Sequence, residues 1–218
     1  VIGCGPAGQK AAIKCAKSGK RTAIIDKRQV VGGQCLHIGT IPSKTLREAI
    51  IYLSGYHERK LYGSDYRVKK DITIGDLLYR CNTIIRREIE VIHNQLTRND
   101  VAVYSGDASF LNPNTVVMHE SVGSVTLTAD NFILAVGSES RYLDGLPFDG
   151  LHIMNTDDIL SLSFLPKKMM IVGAGVIGLE YASMFSLLDM EIQLVNRWGT
   201  ILPFVDTQLT AELTDFMR

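Results

Sequence analysis

Two glycine clusters, Gly3-Cys4-Gly5-Pro6-Ala7-Gly8 and Gly173-Ala174-Gly175-Val176-Ile177-Gly178, share the spacing GxGxxG, and Cys35, Thr40 and Lys44 lie between them. Glycines so spaced let a strand turn tightly into a helix and let backbone approach a pyrophosphate. They also let that helix pack closely on the strand, with its N-terminus aimed at the phosphates. The second cluster repeats the first at a constant offset, which carries Ile24-Ile25 onto Leu194-Val195 and Asp26-Lys27 onto Asn196-Arg197. Each copy therefore reads strand, turn, helix, strand, then a polar residue placed to reach an adenosine ribose. This is the pattern of a chain that binds two dinucleotides.

The two ribose ends differ. Asp26 can accept hydrogen bonds from both ribose hydroxyls, which suits FAD or NAD and repels a 2′-phosphate. Asn196 is neutral and no longer excludes a 2′-phosphate, and Arg197 either pairs with one or is an ordinary solvated cation. The second site is expected to take NADP as well as NAD.

The elements that must position these groups can be read coarsely. Strand, turn, helix (Gln9 to Ser18) and strand (Thr22 to Asp26) open the chain, and Ser43 is expected to cap a helix carrying Leu46, Ala49, Ile50 and Leu53. A longer helix is predicted from about Asp76 to Arg98, with Leu78, Cys81, Ile85, Ile89, Ile92 and Leu96 on one face. Short alternating segments at 101–103, 115–117, 125–127 and 132–135, with turns at Asn112-Pro113-Asn114 and Val122-Gly123-Ser124, predict a small antiparallel meander. Residues 140–167 read as a crossover, and a second strand–glycine–helix–strand unit begins at Met169. The expected class is α/β: two Rossmann-like dinucleotide-binding units with three-layer β/β/α character and a small antiparallel meander. Val1 reads as mid-strand, and the helix capped by Asp206 runs to Arg218, so the chain is expected to be part of a longer protein.

Bulk composition narrows the classes. The 218 residues carry 23 Lys+Arg against 23 Asp+Glu, so no basic surface points to nucleic acid. The apolar stretches near 132–136 and 169–179 are too short or too glycine-rich to span a bilayer. Cys4, Cys15, Cys35 and Cys81 form neither a disulfide framework nor a zinc pattern, which fits a cytoplasmic setting and no metal.

The segment Gly32-Gly33-Gln34-Cys35-Leu36-His37-Ile38-Gly39-Thr40-Ile41-Pro42-Ser43-Lys44 resembles the active-site stretch of the class I pyridine nucleotide–disulfide oxidoreductases, whose pattern is GGxCxxxGCxPSK. Cys35 fills the first cysteine position and Thr40 replaces the second, a variant resembling the family's soluble, Si-specific transhydrogenase branch. The stretch Ile171 to Glu180 and Asn196 extend the likeness. The resemblance implies an FAD-binding domain over 1–150 with a truncated first strand, and an incomplete NAD(P)-binding domain over 151–218. It implies FAD as cofactor, NAD(H) and NADP(H) as substrates, and a homodimer or larger homo-oligomer as the complete chain. It also implies that hydride passes between NADPH and NAD through FAD, because a hydroxyl at Thr40 cannot form the sulfur relay of the dithiol enzymes. Two alternatives stay open, a lipoamide dehydrogenase-like reductase and a catalytically inert nucleotide-binding fragment.

Residue by residue, the resemblance assigns Lys44 and Glu180 to an ion pair near the flavin. It places Asp26, Lys27, Arg28, Gly32, Gly33, Gln34 and Cys35 along the adenosine-to-flavin path. Ala135, Gly137 and Ser138 fall in a second FAD motif, Gly106, Asp107 and Ala108 at an adenine contact, and Gly173, Gly175, Val176, Ile177, Gly178, Asn196 and Arg197 at the second nucleotide. Cys35 is either a packed thiol or a nucleophile. His37 either touches a nucleotide or is held locally, and His93 is structural or exposed.

Overall fold

The strand after the first glycine turn buries two successive residues, Ile24 and Ile25, in two separate clusters. Neighbouring residues of a strand point to opposite faces, so this strand must be covered on both sides. In the computed structural model, which describes residues 1–119 and 123–217, the elements run in the following order. The helix α1 (Pro6–Lys17) precedes β1 (Ala23–Asp26), α2 (Gly33–His37), α3 (Thr40–Leu53), α4 (Arg59–Tyr62) and α5 (Ile74–Thr97). Four strands follow: β2 (Ala102–Ser105), β3 (Asp107–Asn112), β4 (Thr115–His119) and β5 (Ser124–Thr128). A 3-10 turn (Thr156–Ser161) leads to β6 (Lys168–Val172), α6 (Val176–Ser186), β7 (Glu191–Val195) and α7 (Thr207–Met217).

The chain divides into two compact units, Val1–Ser43 with Cys81–Phe148, and Lys44–Arg80 with Asp149–Arg218. Residues 44–80, read in sequence with the first domain, cluster with the second unit.

In the first unit, Ile24 joins Ala12 of α1, Leu96 of α5, Cys4, Val31 and Val101 in one cluster. Ile25 joins Val116 and Met118, flanked by Val125, Leu127, Ala108 and Phe132, in the other. Helices therefore cover one face of the parallel sheet and the antiparallel sheet β3-β4-β5 covers the other, giving the expected three layers. On α5 the deeply buried positions are Leu77, Cys81 and Leu96. Leu77 replaces the expected Leu78 because it lies one turn before Cys81.

Two expected meander strands are elsewhere. Residues 102–105 pair parallel with β1, from Ala23↔Ala102 to Asp26↔Ser105. Residues 133–135 run parallel to the chain start: the Ile2 N–H donates to the Ile133 carbonyl at 2.9 Å, and the Ala135 N–H to the Ile2 carbonyl at 2.8 Å. The first strand of the actual meander, β3, was not foreseen. Phe110 and Leu111 on it are exposed, so no apolar alternation marks it. The turn at 112–114 stands, with Asn114 N–H donating to the Asn112 side chain at 3.0 Å. Val122 of the other expected turn lies outside the described residues.

The helix predicted from Ser43 begins earlier, at Thr40. The Ser43 N–H already donates to the Gly39 carbonyl at 3.1 Å, so Ser43 lies inside the helix and does not cap it. Pro42 permits the early start, because a first-turn residue has no intrahelical acceptor to lose.

The second unit holds the parallel pair β6–β7, in register from Lys168↔Glu191 to Val172↔Val195. On α6, Leu179, Tyr181, Ala182, Met184 and Phe185 are buried. The crossover ends in a turn closed by the Asn155 and Asp158 side chains, each accepting from the other end's backbone. The Asp206 carboxylate accepts from Gln208 N–H at 2.9 Å at the start of α7. Among the described residues no helix is long and apolar enough to cross a membrane, and no His/Cys/Asp/Glu group could hold a metal ion.

Candidate functional site

The two glycine turns have the same geometry. Gly3 and Gly173 adopt φ of +103° and +113°, left-handed values open to glycine and strained for other residues. A Cβ on Gly8 would stand 1.9 Å from the Gly3 carbonyl oxygen, and one on Gly178 2.0 Å from that of Gly173. The third glycine is thus required by helix-to-turn contact in both copies. Gly5 and Gly175 sit at the helix N-caps with extended backbone, and no side chain caps either helix. The first intrahelical bonds run from Gln9 N–H to the Gly5 carbonyl and from Leu179 N–H to the Gly175 carbonyl, both at 3.0 Å. The N–H groups of Ala7, Gly8, Ile177 and Gly178 precede them and have no acceptor within their helices. Pro6 lacks an N–H, and Val176 opens α6, where it is exposed together with Ile177.

Around the first turn the chain closes tightly. A Cβ on Gly3 would meet the Ala135 carbonyl oxygen at 2.1 Å, and one on Gly33 the Gly5 Cα at 2.6 Å. Gly32 N–H donates to the Cys4 carbonyl at 3.1 Å, and Gln9, almost fully buried, donates its amide to the same carbonyl at 2.8 Å. The Asp26 carboxylate accepts from Cys4 N–H at 2.5 Å and from Arg28 N–H at 2.9 Å, so it ties the strand end to the turn. Gly106 N–H donates to the Asp26 carbonyl at 2.9 Å, which brings the start of β3, Asp107 and Ala108, next to it. Ala108 turns its side chain into the core. Lys27 pairs with Glu139 at 3.5 Å, beside the exposed Gly137 and Ser138. Sequence reasoning missed the role of Gln9, whose only sequence signal is its place directly after the motif.

Cys35, the one cysteine of the segment 32–44, forms no disulfide, and neither do Cys4, Cys15 and Cys81. Cys35 is half-buried in α2 and borders a small cavity of about 170 Å³ with Pro6, Gln9, Lys10, Leu36 and Ile41. Thr40, exposed, opens α3, and the Gln34 carbonyl accepts from Ile38 and Gly39 N–H between them. His37 is held locally, its Nε2 bonded to the Val31 carbonyl at 2.9 Å, and His93 is exposed. Burial, and secondarily the Asp26 charge, push the Cys4 thiol up to about 11.

Within the second unit the Lys44 ammonium donates to the Glu180 carboxylate, with Lys44 56% and Glu180 24% exposed. These residues come from α3 and α6 and are distant in sequence, so this is the pairing that the resemblance implied. At the ribose end of β7 the structure adds what the sequence did not show. Both Asn196 Nδ2 protons are spent on the carbonyls of Trp198 and Thr200, at 2.9 and 2.8 Å. The Arg197 guanidinium lies over the Trp198 ring, 5.0 Å from its centroid. Before the start of β7, at its other end, Arg67 grips Asp189 with one nitrogen on both carboxylate oxygens, at 3.0 and 3.1 Å.

Comparison with known proteins agrees with this geometry. Residues 1–218 match the family described as pyridine nucleotide-disulphide oxidoreductase. A soluble pyridine nucleotide transhydrogenase of Mycobacterium bovis is 44% identical over 220 residues, covering 100% of this chain and 47% of that protein. Among solved structures, LpdA of Mycobacterium tuberculosis shares the fold with a TM-score of 0.85 at 23% identity, covering 99% of this chain and 48% of that one. The Cu(II) complex of the HOCl-induced flavoprotein disulfide reductase RclA from Escherichia coli does so with a TM-score of 0.81 at 24% identity, covering 100% and 46%. The chain thus spans about half the length of the curated relatives that it matches. Because the family match runs over the whole of residues 1–218, the chain belongs to the pyridine nucleotide-disulphide oxidoreductase family.

Proposed function

We propose that the complete protein transfers hydride between NADPH and NAD through FAD, the Si-specific transhydrogenase reaction. The observation that carries the proposal is Thr40 in the second cysteine position, with Cys35 in no disulfide. Without a second sulfur beside Cys35 there is no internal disulfide to reduce, so electrons leave as hydride to a second nicotinamide or pass to oxygen or a diffusible acceptor, and the first route is the one proposed. The name of the 44% identical mycobacterial relative supports the same reading.

The residues present fit the cofactor. Its pyrophosphate would lie on the uncapped start of α1 at Gly5-Pro6-Ala7-Gly8, where free N–H groups and the helix dipole favour negative charge. Asp26 would hold the adenosine ribose through the lone pairs that Cys4 and Arg28 leave open, with Lys27, Gly32, Gly33, Gln34, Ala135, Gly137, Ser138, Asp107 and Ala108 around it. When bound, FAD supplies the hydride-accepting and hydride-donating chemistry that links the two nucleotides. Lys44, oriented by Glu180, would stabilise negative charge at the hydride-transfer position. Cys35 and Thr40 would border that position as packing groups.

The second unit would take the nicotinamide nucleotide on Gly173, Gly175, Val176, Ile177 and Gly178, with its ribose at Asn196 and Arg197. Residues 1–150 are accordingly assigned to FAD and 151–218 to NAD(P). Sequential use of one position requires tolerance of the 2′-phosphate, which an uncharged Asn196 allows. A homo-oligomeric assembly and a cytoplasmic location belong to the same proposal; cysteines that form no disulfide among the described residues suit a reducing compartment.

The test uses the full-length flavin-loaded protein with NADPH and a spectrally distinct NAD analogue, no thiol or disulfide being present. Steady multiple-turnover reduction of the analogue is expected. Turnover only after a disulfide substrate is added would overturn the proposal.

A further inference from the structure

We propose that Trp198 is a positioning residue for 2′-phosphate recognition, holding the Arg197 guanidinium over its ring so that N–H groups stay free for the phosphate; this rests on the nucleotide reading of the second unit given above. Arg197 is exposed at the ribose end of β7. Among the described residues it makes no ion pair, and its recorded contact is the indole of Trp198, 5.0 Å from guanidinium carbon to ring centroid. That lies within the range of a cation–π attraction. Such stacking uses the flat face of the guanidinium and leaves the in-plane donors available for a bidentate bond to a phosphate.

The backbone that carries the ring is itself held. Asn196 donates to the Trp198 and Thr200 carbonyls at 2.9 and 2.8 Å, which fixes the backbone that carries the indole. With both its donors used, Asn196 presents only its carbonyl oxygen, which accepts from a ribose 2′-hydroxyl. The work divides between neighbours: Asn196 reads the hydroxyl of NAD, and Arg197, oriented by Trp198, reads the phosphate of NADP. A guanidinium already held over the ring loses less rotational freedom on binding than a free one, so removing the ring should cost roughly two- to fivefold in affinity.

The experiment measures binding of 2′,5′-ADP and 5′-AMP, which differ by the 2′-phosphate, to full-length flavin-loaded protein by titration calorimetry. Arg197→Ala should weaken 2′,5′-ADP at least tenfold and leave 5′-AMP within twofold. Trp198→Leu, which keeps bulk but removes the π-face, should weaken 2′,5′-ADP two- to fivefold and spare 5′-AMP. Trp198→Phe should restore most of that loss. Unchanged 5′-AMP binding also shows that the variant site is folded. If Trp198→Leu weakens both ligands equally, the indole serves the adenosine or the loop, and the proposal fails. If Arg197→Ala has its effect and Trp198→Leu has none, the positioning role alone fails. If Arg197→Ala leaves 2′,5′-ADP untouched, the reading of 2′-phosphate capture at this end fails.

Discussion

Replacing Gly178 and Gly175 one at a time by alanine separates packing from ligand approach within a single turn. A Cβ at Gly178 would lie 2.0 Å from the Gly173 carbonyl oxygen, where real Cβ contacts stay beyond 3.0 Å, so the start of α6 must retreat by about 1 Å. Overpacking of this kind costs about 1–3 kcal/mol, and the gain in helix propensity returns up to about 1 kcal/mol. The expected net loss for Gly178→Ala is therefore about 1–2 kcal/mol. A Cβ at Gly175 meets nothing within 4 Å, and its extended backbone suits any residue. Gly175→Ala should cost only the weaker N-cap, at most about 1 kcal/mol, while placing a methyl where a pyrophosphate would approach. Urea unfolding combined with nucleotide titration of the full-length protein reads both effects. Gly175→Ala should lower nucleotide affinity at least tenfold at near-normal stability, and Gly178→Ala should lower both. A Gly175→Ala protein that binds nucleotide normally would refute the assignment of the phosphates to this turn. A fully stable Gly178→Ala protein would refute the contact argument.

Three further outcomes are expected. Lys44→Met should slow hydride transfer at least tenfold with little loss of stability, since an exposed ion pair is worth at most about 1 kcal/mol; stopped-flow absorbance and thermal unfolding measure the two separately. Cys4, fully buried and with its thiol pushed up to about 11, should resist maleimide at pH 8 while the half-buried Cys15 and Cys35 label, as peptide mass mapping would show. The Asp76 carboxylate accepts from Thr73 N–H at 2.8 Å, from the Thr73 hydroxyl and from Lys69. The Lys69 bond first, then those from Thr73, hold it down to about 2. A depressed carboxylate stabilises the folded state above its unfolded value near 3.9. That support is lost as pH falls from about 4 to about 2, so amide exchange in the first turn of α5 should speed up in this window.

How much of the protein was legible in its residues follows from the range of the interactions involved. Each glycine turn is closed by a contact between residues five apart, Gly3 with Gly8 and Gly173 with Gly178, so its spacing announces it. The helical period of α5 was legible for the same reason. Strand partners were not. The stretch after α5 alternates like a meander strand, yet it pairs parallel with β1 because that strand buries both faces and needs neighbours that lie far along the chain. The grouping of 44–80 with the second unit is likewise a matter of long-range packing.

The same division runs through the site. Amino-acid type alone determined that Thr40 cannot carry a disulfide and that Asn196 carries no charge. The pairing of Lys44 with Glu180 was implied by the family resemblance, whereas only the tertiary structure decided that Asn196 spends both donors on its own loop and that Arg197 rests on an indole. A residue's chemistry is a property of its side chain, whereas the atoms left free to use it depend on which neighbours the fold has already bound to it.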